Sequence, residues 1–168
     1  MWFSERRMFY TALRERRPRL CVEIGTATGG GSTFFTALAL KENGLGMLHT
    51  YEVDARLHDE ARAFYAARLP KLAPHVTFHL ADYRSFAEPA PIDCLMLDGP
   101  EDAQATADQL AFFEPSLASG AMVFVHDWHT EKARLVRPRI EQSDRYRIVS
   151  RLDPPDSVGF VAAIHLRS

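Results

Sequence analysis

The chain has 168 residues, of which 46% are hydrophobic and 25% are charged, which is typical of one globular domain over 1–168. No apolar run approaches the length of a membrane-spanning helix, about eighteen residues or more, so we expect no membrane partner. The formal net charge of −2 argues against a general nucleic-acid binder, and nucleic acid is not an expected partner.

Taken in chain order, the predicted elements alternate between helices and strands. An N-terminal helix within 1–18 precedes a core that spans 20–166. Apolar runs between glycine, proline and polar breaks predict strands at 20–25, 47–53, 76–80, 92–97, 121–125, 146–152 and 158–166. Apolar residues at helical spacing predict helices at 32–43, 55–69, 102–117 and 130–142, with Pro115 disturbing the third and Pro138 kinking the fourth. The short connection between the last two strands predicts that they pair antiparallel.

Segment 20–33, which reads LCVEIGTATGGGST, is the most informative part of the chain. An apolar run that breaks into a glycine-rich turn before a helix is typical of nucleotide sites in parallel α/β sheets. Gly25 allows a sharp turn out of the strand, and Gly29 to Gly31 allow backbone N–H groups to approach a ligand. The segment therefore predicts a nucleotide-like cofactor without identifying which one.

Basic residues are concentrated in 1–20 and in 130–151, where Lys132 stands among several arginines. Such clusters steer anionic ligands or nucleic acid in some proteins. Because charge runs more commonly form solvated helix faces, we interpret both segments in that way. The two cysteines, Cys21 and Cys94, lie in apolar runs, so we predict buried, reduced thiols and a cytoplasmic location.

Landmarks spread over 20–166 make the chain resemble the class I S-adenosylmethionine-dependent methyltransferases. The family's first motif, E-x-G-x-x-x-G, matches the segment from Glu23 to Gly29, and the acid that ends its second strand matches Glu52. IDCLMLDG matches the fourth motif through Asp98, and GAMVFVHDW matches the fifth strand and its exit.

The resemblance implies a fold and a reaction. The fold is a Rossmann-like three-layer αβα sandwich with a seven-stranded, mostly parallel sheet in the order 3-2-1-4-5-7-6, in which strand 7 is antiparallel. EIGTATGG, LMLDG and SGAMVFVHDW are similar, more narrowly, to the small-molecule O-methyltransferase branch, which includes catechol and macrolide-sugar types. This implies S-adenosylmethionine as methyl donor, S-adenosylhomocysteine as product and a small-molecule oxygen as acceptor.

The implied cofactor residues have physical reasons for their positions. Glu52 could accept hydrogen bonds from both hydroxyls of a ribose, and a buried acid such as Glu23 needs an ammonium group or loop N–H donors. Asp54 is also the expected N-cap of the helix that follows it, and an N-cap role explains Asp82 nearly as well as contact with adenine. The predicted cofactor-binding residues are Glu23, Gly25, Thr26, Ala27, Thr28, Gly29, Ser32, Glu52, Val53, Asp54, Asp82, Tyr83 and Asp98.

The predicted catalytic residues are Asp98, His126, Asp127 and His129. Methyl transfer to a hydroxyl needs alignment and removal of a proton, and a histidine that titrates near neutrality is a candidate base. In the metal-dependent branch, Asp98 and Asp127 match two ligands of a divalent cation, but Trp128 stands at the third position and cannot ligate. The lysine of that branch, three residues after Asp98, is Glu101 here, so we assign no metal ligand while a divalent metal stays open.

Two other functions stay open beside the methyltransferase. A nicotinamide-dependent oxidoreductase would use G-x-G-x-x-G, which is only partly met at Gly25, Ala27 and Gly30. A non-catalytic module that binds S-adenosylmethionine would explain the absent third ligand and lysine.

LDGPED replaces the N/D-P-P-Y motif of the family members that methylate base amino groups. Because the N-terminal extension is too short for a sizeable substrate cap, we expect an open pocket. The helix that carries Trp2, Phe3, Phe9 and Tyr10, a partner subunit in a homodimer, or a large acceptor could complete it.

Overall fold

A computed structural model describes residues 1–155 and 157–166 of the chain. Its strands are β1 (Leu20–Ile24), β2 (Met47–Glu52), β3 (Val76–Leu80), β4 (Ile92–Leu97), β5 (Leu117–His126), β6 (Tyr146–Leu152) and β7 (Phe160–His165). Its α-helices are α1 (Phe3–Arg16), α2 (Ser32–Asn43), α3 (Ala55–Arg68), α4 (Ala103–Phe113) and α5 (Val136–Glu141). None of the helices in these two ranges is long and apolar enough to cross a membrane.

The seven strands form one sheet in the order β3-β2-β1-β4-β5-β7-β6. The five strands from β3 to β5 run parallel, and β7 pairs antiparallel with both β5 and β6. This confirms the predicted topology, including the antiparallel terminal pair. Cys21 of β1 lies opposite Cys94 of β4 in the register, and both cysteines are buried and free.

Helices cover both faces of the sheet and give it two hydrophobic cores. Helices α1, α2 and α3 pack with residues such as Cys21 and Phe124 on one face. Helices α4 and α5 pack with alternate strand residues, such as Val22 and Val123, on the other. Strands that are buried on both faces are rich in apolar residues, which is why the central segments read as hydrophobic runs, with Glu23 of β1 and Asp93 of β4 as polar exceptions.

Three predicted elements differ from the structure by more than two residues. A 3₁₀ turn at Glu114–Ser116 ends α4 early and contains Pro115, and β5 then begins at Leu117 instead of 121. The single kinked helix predicted over 130–142 is wrong, because a 3₁₀ turn at Glu131–Ala133 precedes the short α5. Pro138 lies in the first turn of α5, where the missing N–H breaks no helical hydrogen bond.

Candidate active site

The parallel strands β1, β2, β4 and β5 all end at one edge of the sheet. Their exits carry Gly25, Glu52, Asp98 and Asp127. A cleft of about 740 Å³ lies at this edge, and we call it the edge cleft. Open α/β sheets bind ligands outside the carboxyl ends of their strands, at the point where the strand order reverses, which is between β1 and β4 here.

The turn after β1 requires glycine at its first position. Gly25 has φ +95°, and a Cβ there would lie 2.3 Å from the backbone carbonyl oxygen of Asp98. The turn can therefore cross the end of β4 only without a side chain at Gly25. By contrast, a Cβ at Gly30 or Gly31 would meet no atom of the described residues within 4 Å, so these glycines border open space.

A hydrogen bond to the Glu52 side chain connects the end of β2 to the glycine turn after β1. Oε2 of Glu52 accepts a hydrogen bond from the backbone N–H of Ala27 at 2.9 Å. Its Oε1 accepts from the backbone N–H groups of Val53 and Asp54 at 2.9 and 3.0 Å. A carboxylate has about four acceptor positions, so Glu52 keeps capacity for a further donor in the edge cleft.

Glu23 is buried behind the edge cleft and is not among the residues that line it. Its Oε2 accepts hydrogen bonds from the hydroxyls of Thr33 and Thr50, both at 2.7 Å. Its Oε1 has no hydrogen-bond partner among the described residues. Burial raises the pKa of Glu23 to about 7, against the effect of the hydroxyl groups that donate to it.

Asp54 and Asp82 each cap the segment that follows them. Asp54 accepts from the backbone N–H of Leu57 at 3.0 Å and begins α3. Asp82 accepts from the backbone N–H of Arg84 at 2.9 Å, at the start of a 3₁₀ turn that contains the buried Tyr83. Asp82 and Tyr83 line the edge cleft, and Asp54 does not.

The predicted cofactor residues therefore divide into two groups. Those that line the edge cleft are Gly25, Ala27, Glu52, Val53, Asp82, Tyr83 and Asp98. Those outside its lining are Glu23, Thr26, Thr28, Gly29, Ser32 and Asp54. Sequence reasoning missed the wall that α4 supplies, which includes Asp102, Gln104, Asp108 and Gln109. Gln109 is buried, and its Oε1 has no hydrogen-bond partner among the residues described.

Asp98 and Asp127, which we call the acid pair, meet at the exits of β4 and β5. Nδ1 of His126 lies 3.3 Å from Oδ1 of Asp98 and 3.0 Å from Oδ2 of Asp127. Asp127 adopts the left-handed region with φ 57°, which few residues other than glycine occupy. The structure thus brings together three of the four predicted catalytic residues.

The acids around His126 favour the protonated form of its ring. Burial disfavours the charged ring, but the charges of the Asp98 and Asp127 carboxylates beside Nδ1 outweigh it and raise the pKa of His126 to about 10. Burial likewise raises the pKa of Asp127, while His126 and Lys132 bring it down to about 2. The expectation of a histidine that titrates near neutrality therefore does not suit His126.

Lys132 completes this cluster, although the sequence placed it in a solvated charge run. Its side chain is 1% exposed, and its Nζ donates to Oδ1 of Asp98 at 3.0 Å and to Oδ2 of Asp127 at 3.1 Å. The two carboxylates raise the pKa of Lys132 against the effect of burial. The interpretation as a solvated face is wrong for this residue. A weak signal was available, since it is the lysine in a segment whose other basic residues are arginines.

Glu5 brings the N-terminal helix into the same cluster. It is fully buried in the first turn of α1, and its Oε2 lies 3.1 Å from Nε2 of His126. Its Oε1 accepts from the Ser157 hydroxyl, and its Oε2 also accepts from the backbone N–H of Trp2 at 2.6 Å. No local pattern links Glu5 to His126, which follows it by 121 positions.

His129 lies outside this cluster. Its Nε2 is 2.6 Å from Oδ1 of Asp153, and both side chains are more than a third exposed. The hydrogen bond to His129 and the pairing with Arg151 lower the pKa of Asp153. A catalytic role for His129 stays a prediction, and the geometry favours a surface ion pair.

The acid pair and His126 together offer a partial metal site. One ligand atom each from Asp98, His126 and Asp127 lie within 4.8 Å of one another, and such oxygen and nitrogen atoms bind divalent cations in many proteins. However, the Lys132 ammonium donates to both carboxylates and supplies positive charge at the place where a metal would. The residues present therefore do not fit a divalent metal.

Comparisons with known proteins agree with this geometry. The profile of a family described as a methyltransferase domain matches residues 22–128, and no curated protein sequence matches the chain. The O-methyltransferase TomG from Streptomyces achromogenes, solved in complex with SAM, is 19% identical with a TM-score of 0.78, covering 98% of this chain and 80% of TomG. An O-methyltransferase from Bacillus cereus, in complex with SAH, is 17% identical with a TM-score of 0.77, covering 98% and 82%. An rRNA methylase from Streptococcus thermophilus is 14% identical with a TM-score of 0.70, covering 95% of each chain.

Proposed function

The chain belongs to the methyltransferase domain family, and we propose that it transfers the methyl group of S-adenosylmethionine to an oxygen of a small-molecule acceptor. S-Adenosylhomocysteine is then the product. The oxygen acceptor and the small-molecule class are supported by the resemblance of the strand-end motifs and by the O-methyltransferases among the structural neighbours.

The edge cleft supplies groups that suit this cofactor. Glu52 is placed to accept from the ribose hydroxyls, while its bonds to the glycine turn keep its carboxylate fixed. Asp82 and Gln109 offer further acceptors on the cleft wall, and Oε1 of Gln109 is buried without a partner among the described residues. A buried acceptor of this kind gains a hydrogen bond when a donor of the cofactor enters.

The position of Asp98 is the observation that supports this proposal most directly. Asp98 lines the edge cleft, and its Oδ1 also belongs to the cluster of His126 and Lys132. Asp98 therefore connects the cofactor side to the acid pair. We place the acceptor hydroxyl beside Asp98, where the methyl group would leave the sulfur as the new O–C bond forms.

Proton removal is the chemical task left to the protein, because the sulfonium already activates the methyl group. We assign the proton of the acceptor hydroxyl to the Asp98 carboxylate, whose side chain is 24% exposed. The neighbouring acids raise the pKa of His126, so we assign it to the stabilisation of negative charge beside the acid pair and not to proton removal.

Calorimetric titration of the full chain with S-adenosylmethionine and S-adenosylhomocysteine tests the cofactor assignment, with NADH as the control ligand. We expect micromolar binding of both sulfur compounds, and weaker binding in Glu52→Gln than in the matched surface variant Glu60→Gln. Binding of NADH alone would instead support the nicotinamide-dependent oxidoreductase.

Transfer of a radioactive methyl group to catechols, phenols, sugar hydroxyls and RNA tests the acceptor class. We expect label in a small hydroxyl compound. Label in RNA alone would contradict the small-molecule assignment. Firm cofactor binding with no label in any acceptor would favour the non-catalytic module.

The acceptor side of the site includes α1, because Glu5 contacts His126. Trp2 and Phe3 at the start of this helix are 50% and 80% exposed, which is high for large apolar side chains. We include a homodimer in the proposal, with this end of α1 as the part of the pocket that a second subunit would cover. Light scattering with Phe3→Asp as the variant measures the subunit number, and a wild-type monomer would remove this part.

A further inference from the structure

We propose that Lys132 is a built-in cation that takes the place of a divalent metal at the acid pair, and that removal of its ammonium turns the acid pair into a metal-binding site. The statement about metal binding stands on the geometry alone. Its catalytic consequence, transfer without a metal, rests on the proposed function.

The first support is that Lys132 contacts the oxygens that a metal would need. Its Nζ donates to Oδ1 of Asp98 at 3.0 Å and to Oδ2 of Asp127 at 3.1 Å. These same two oxygens face Nδ1 of His126 at 3.3 and 3.0 Å. Oδ1 of Asp98 and Oδ2 of Asp127 thus each already lie against both the Lys132 ammonium and the His126 ring.

The second support is the burial of the lysine. The Lys132 side chain is 1% exposed, and it follows Thr130 and Glu131 in a turn whose next residue, Ala133, is fully buried. A buried ammonium is stable only when it is paired, so Lys132 is held where its partners are. A divalent cation between the same carboxylates would lie within a few ångströms of this like charge, which is strongly unfavourable in a site with little water.

The third support is the set of charges around the cluster. The Lys132 ammonium contacts both carboxylates of the acid pair, and Glu5 on the other side of His126 adds a third acidic side chain. Without Lys132, these three acidic side chains would be left with His126 alone. Two carboxylates and an imidazole whose ligand atoms lie within 4.8 Å of one another would then attract a cation.

This arrangement makes Lys132 a positioning residue. Because it is buried, an acceptor in the edge cleft does not reach its ammonium, whereas a metal would also bind the acceptor oxygen directly. Lys132 instead fixes the side chain of Asp98, which is the member of the acid pair that lines the edge cleft. Transfer should therefore proceed at full rate in the presence of a chelator.

Titration of Mn²⁺ into the 168-residue chain, followed by the loss of the free Mn²⁺ signal in electron paramagnetic resonance, tests the proposal. We expect wild type and the surface control Lys71→Ala to show no site of submillimolar affinity. Lys132→Ala and the more conservative Lys132→Met should each gain one site, with Mn²⁺ bound at least tenfold tighter than in wild type. Adding Asp127→Asn to either variant should remove that site.

The wild-type titration tests whether Lys132 takes the place of a metal, even if both lysine variants fail to fold. Tight Mn²⁺ binding to wild type that Asp127→Asn abolishes would overturn the proposal, as would folded lysine variants that gain no site. Cofactor binding is measured by calorimetry on the same samples. Failure to bind S-adenosylmethionine would contradict the proposed function. The manganese titration would still test metal binding at the acid pair independently.

Discussion

Two regions of the site carry carboxylates: the glycine turn after β1, which contacts Glu52, and the acid pair. The partners that hold these carboxylates differ in kind. Glu52 receives three backbone N–H groups, from Ala27, Val53 and Asp54, so its partners are set by the path of the chain. The acid pair is balanced by the side-chain cations of Lys132 and His126 instead. One half of the site therefore depends on backbone conformation, and the other on the protonation and identity of a few side chains.

The largest effect is expected in the backbone-dependent half. In Gly25→Ala the new Cβ would meet the carbonyl oxygen of Asp98 at 2.3 Å, in a left-handed conformation that alanine disfavours. We expect a loss of at least about 4 kcal/mol in the free energy of unfolding, because backbone atoms cannot move aside. Urea denaturation measures this loss.

Gly30→Ala is the matched control in the same turn. A Cβ at Gly30 meets no described atom within 4 Å, so stability should change by no more than about 0.5 kcal/mol. Equal losses of unfolding free energy in Gly25→Ala and Gly30→Ala would contradict this prediction, because the turn would then not depend on its close approach to the Asp98 carbonyl.

The side-chain-dependent half predicts a different outcome for Asp98→Asn. The amide keeps the shape of the carboxylate but cannot accept the acceptor proton, so turnover should fall by about 10²- to 10⁴-fold. The affinity for S-adenosylmethionine should change little, since Glu52 and Asp82 hold the other end of the cofactor in the proposal. Single-turnover kinetics and calorimetry on one preparation separate the two effects. Full turnover in Asp98→Asn would assign the proton to another group.

Glu23, buried in β1 before the glycine turn, predicts a pH-dependent stability. Its folded pKa is raised to about 7 by burial, above the 4.5 of an exposed glutamate. The neutral acid is therefore favoured in the folded chain, and its contribution is full below pH 4.5 and is lost as pH rises through about 7. The shift corresponds to about 3 kcal/mol.

Glu23→Gln should remove this dependence, because a glutamine has no proton to lose and still accepts from Thr33 and Thr50. Urea unfolding at intervals from pH 4.5 to 8.5 gives the difference between variant and wild type. We expect the variant to gain relative stability across this window. A difference that stays constant with pH would show that Glu23 ionises normally in the folded chain.

The same contrast explains how much of the molecule could be predicted from sequence. The strands and helices were accessible because each βα unit is a local pattern, and Glu23 to Gly29 form one continuous motif. The strand order was implied by the resemblance to the methyltransferase family. Asp98, His126 and Asp127 were accessible because parallel strands end at one edge.

Lys132 and Glu5 could not be found in this way. Glu5 meets His126 across 121 positions, and Lys132 meets Asp98 across 34. A buried lysine and a solvated one have the same appearance within an arginine-rich segment. Only tertiary contacts distinguish them, and such contacts leave no periodic trace in the sequence. The pKa of His126 is raised by the acids that contact it, which its ordinary pKa could not indicate, and its catalytic role stays a prediction.

The smallest effects should separate two acids that the sequence placed together in the cofactor set. Asp54 caps α3 outside the edge cleft, whereas Asp82 caps a 3₁₀ turn on the cleft wall. Asp54→Ala should cost about 1 kcal/mol of stability and leave the affinity for S-adenosylmethionine unchanged. Asp82→Ala should weaken cofactor binding several-fold, with a smaller loss of stability, because its cap serves only a single turn. Thermal unfolding and calorimetry on both variants measure the two quantities. If Asp54→Ala weakened binding as much as Asp82→Ala, the cofactor would extend past the lining of the cleft to the start of α3, and backbone and side-chain contacts would no longer divide as the structure divides them.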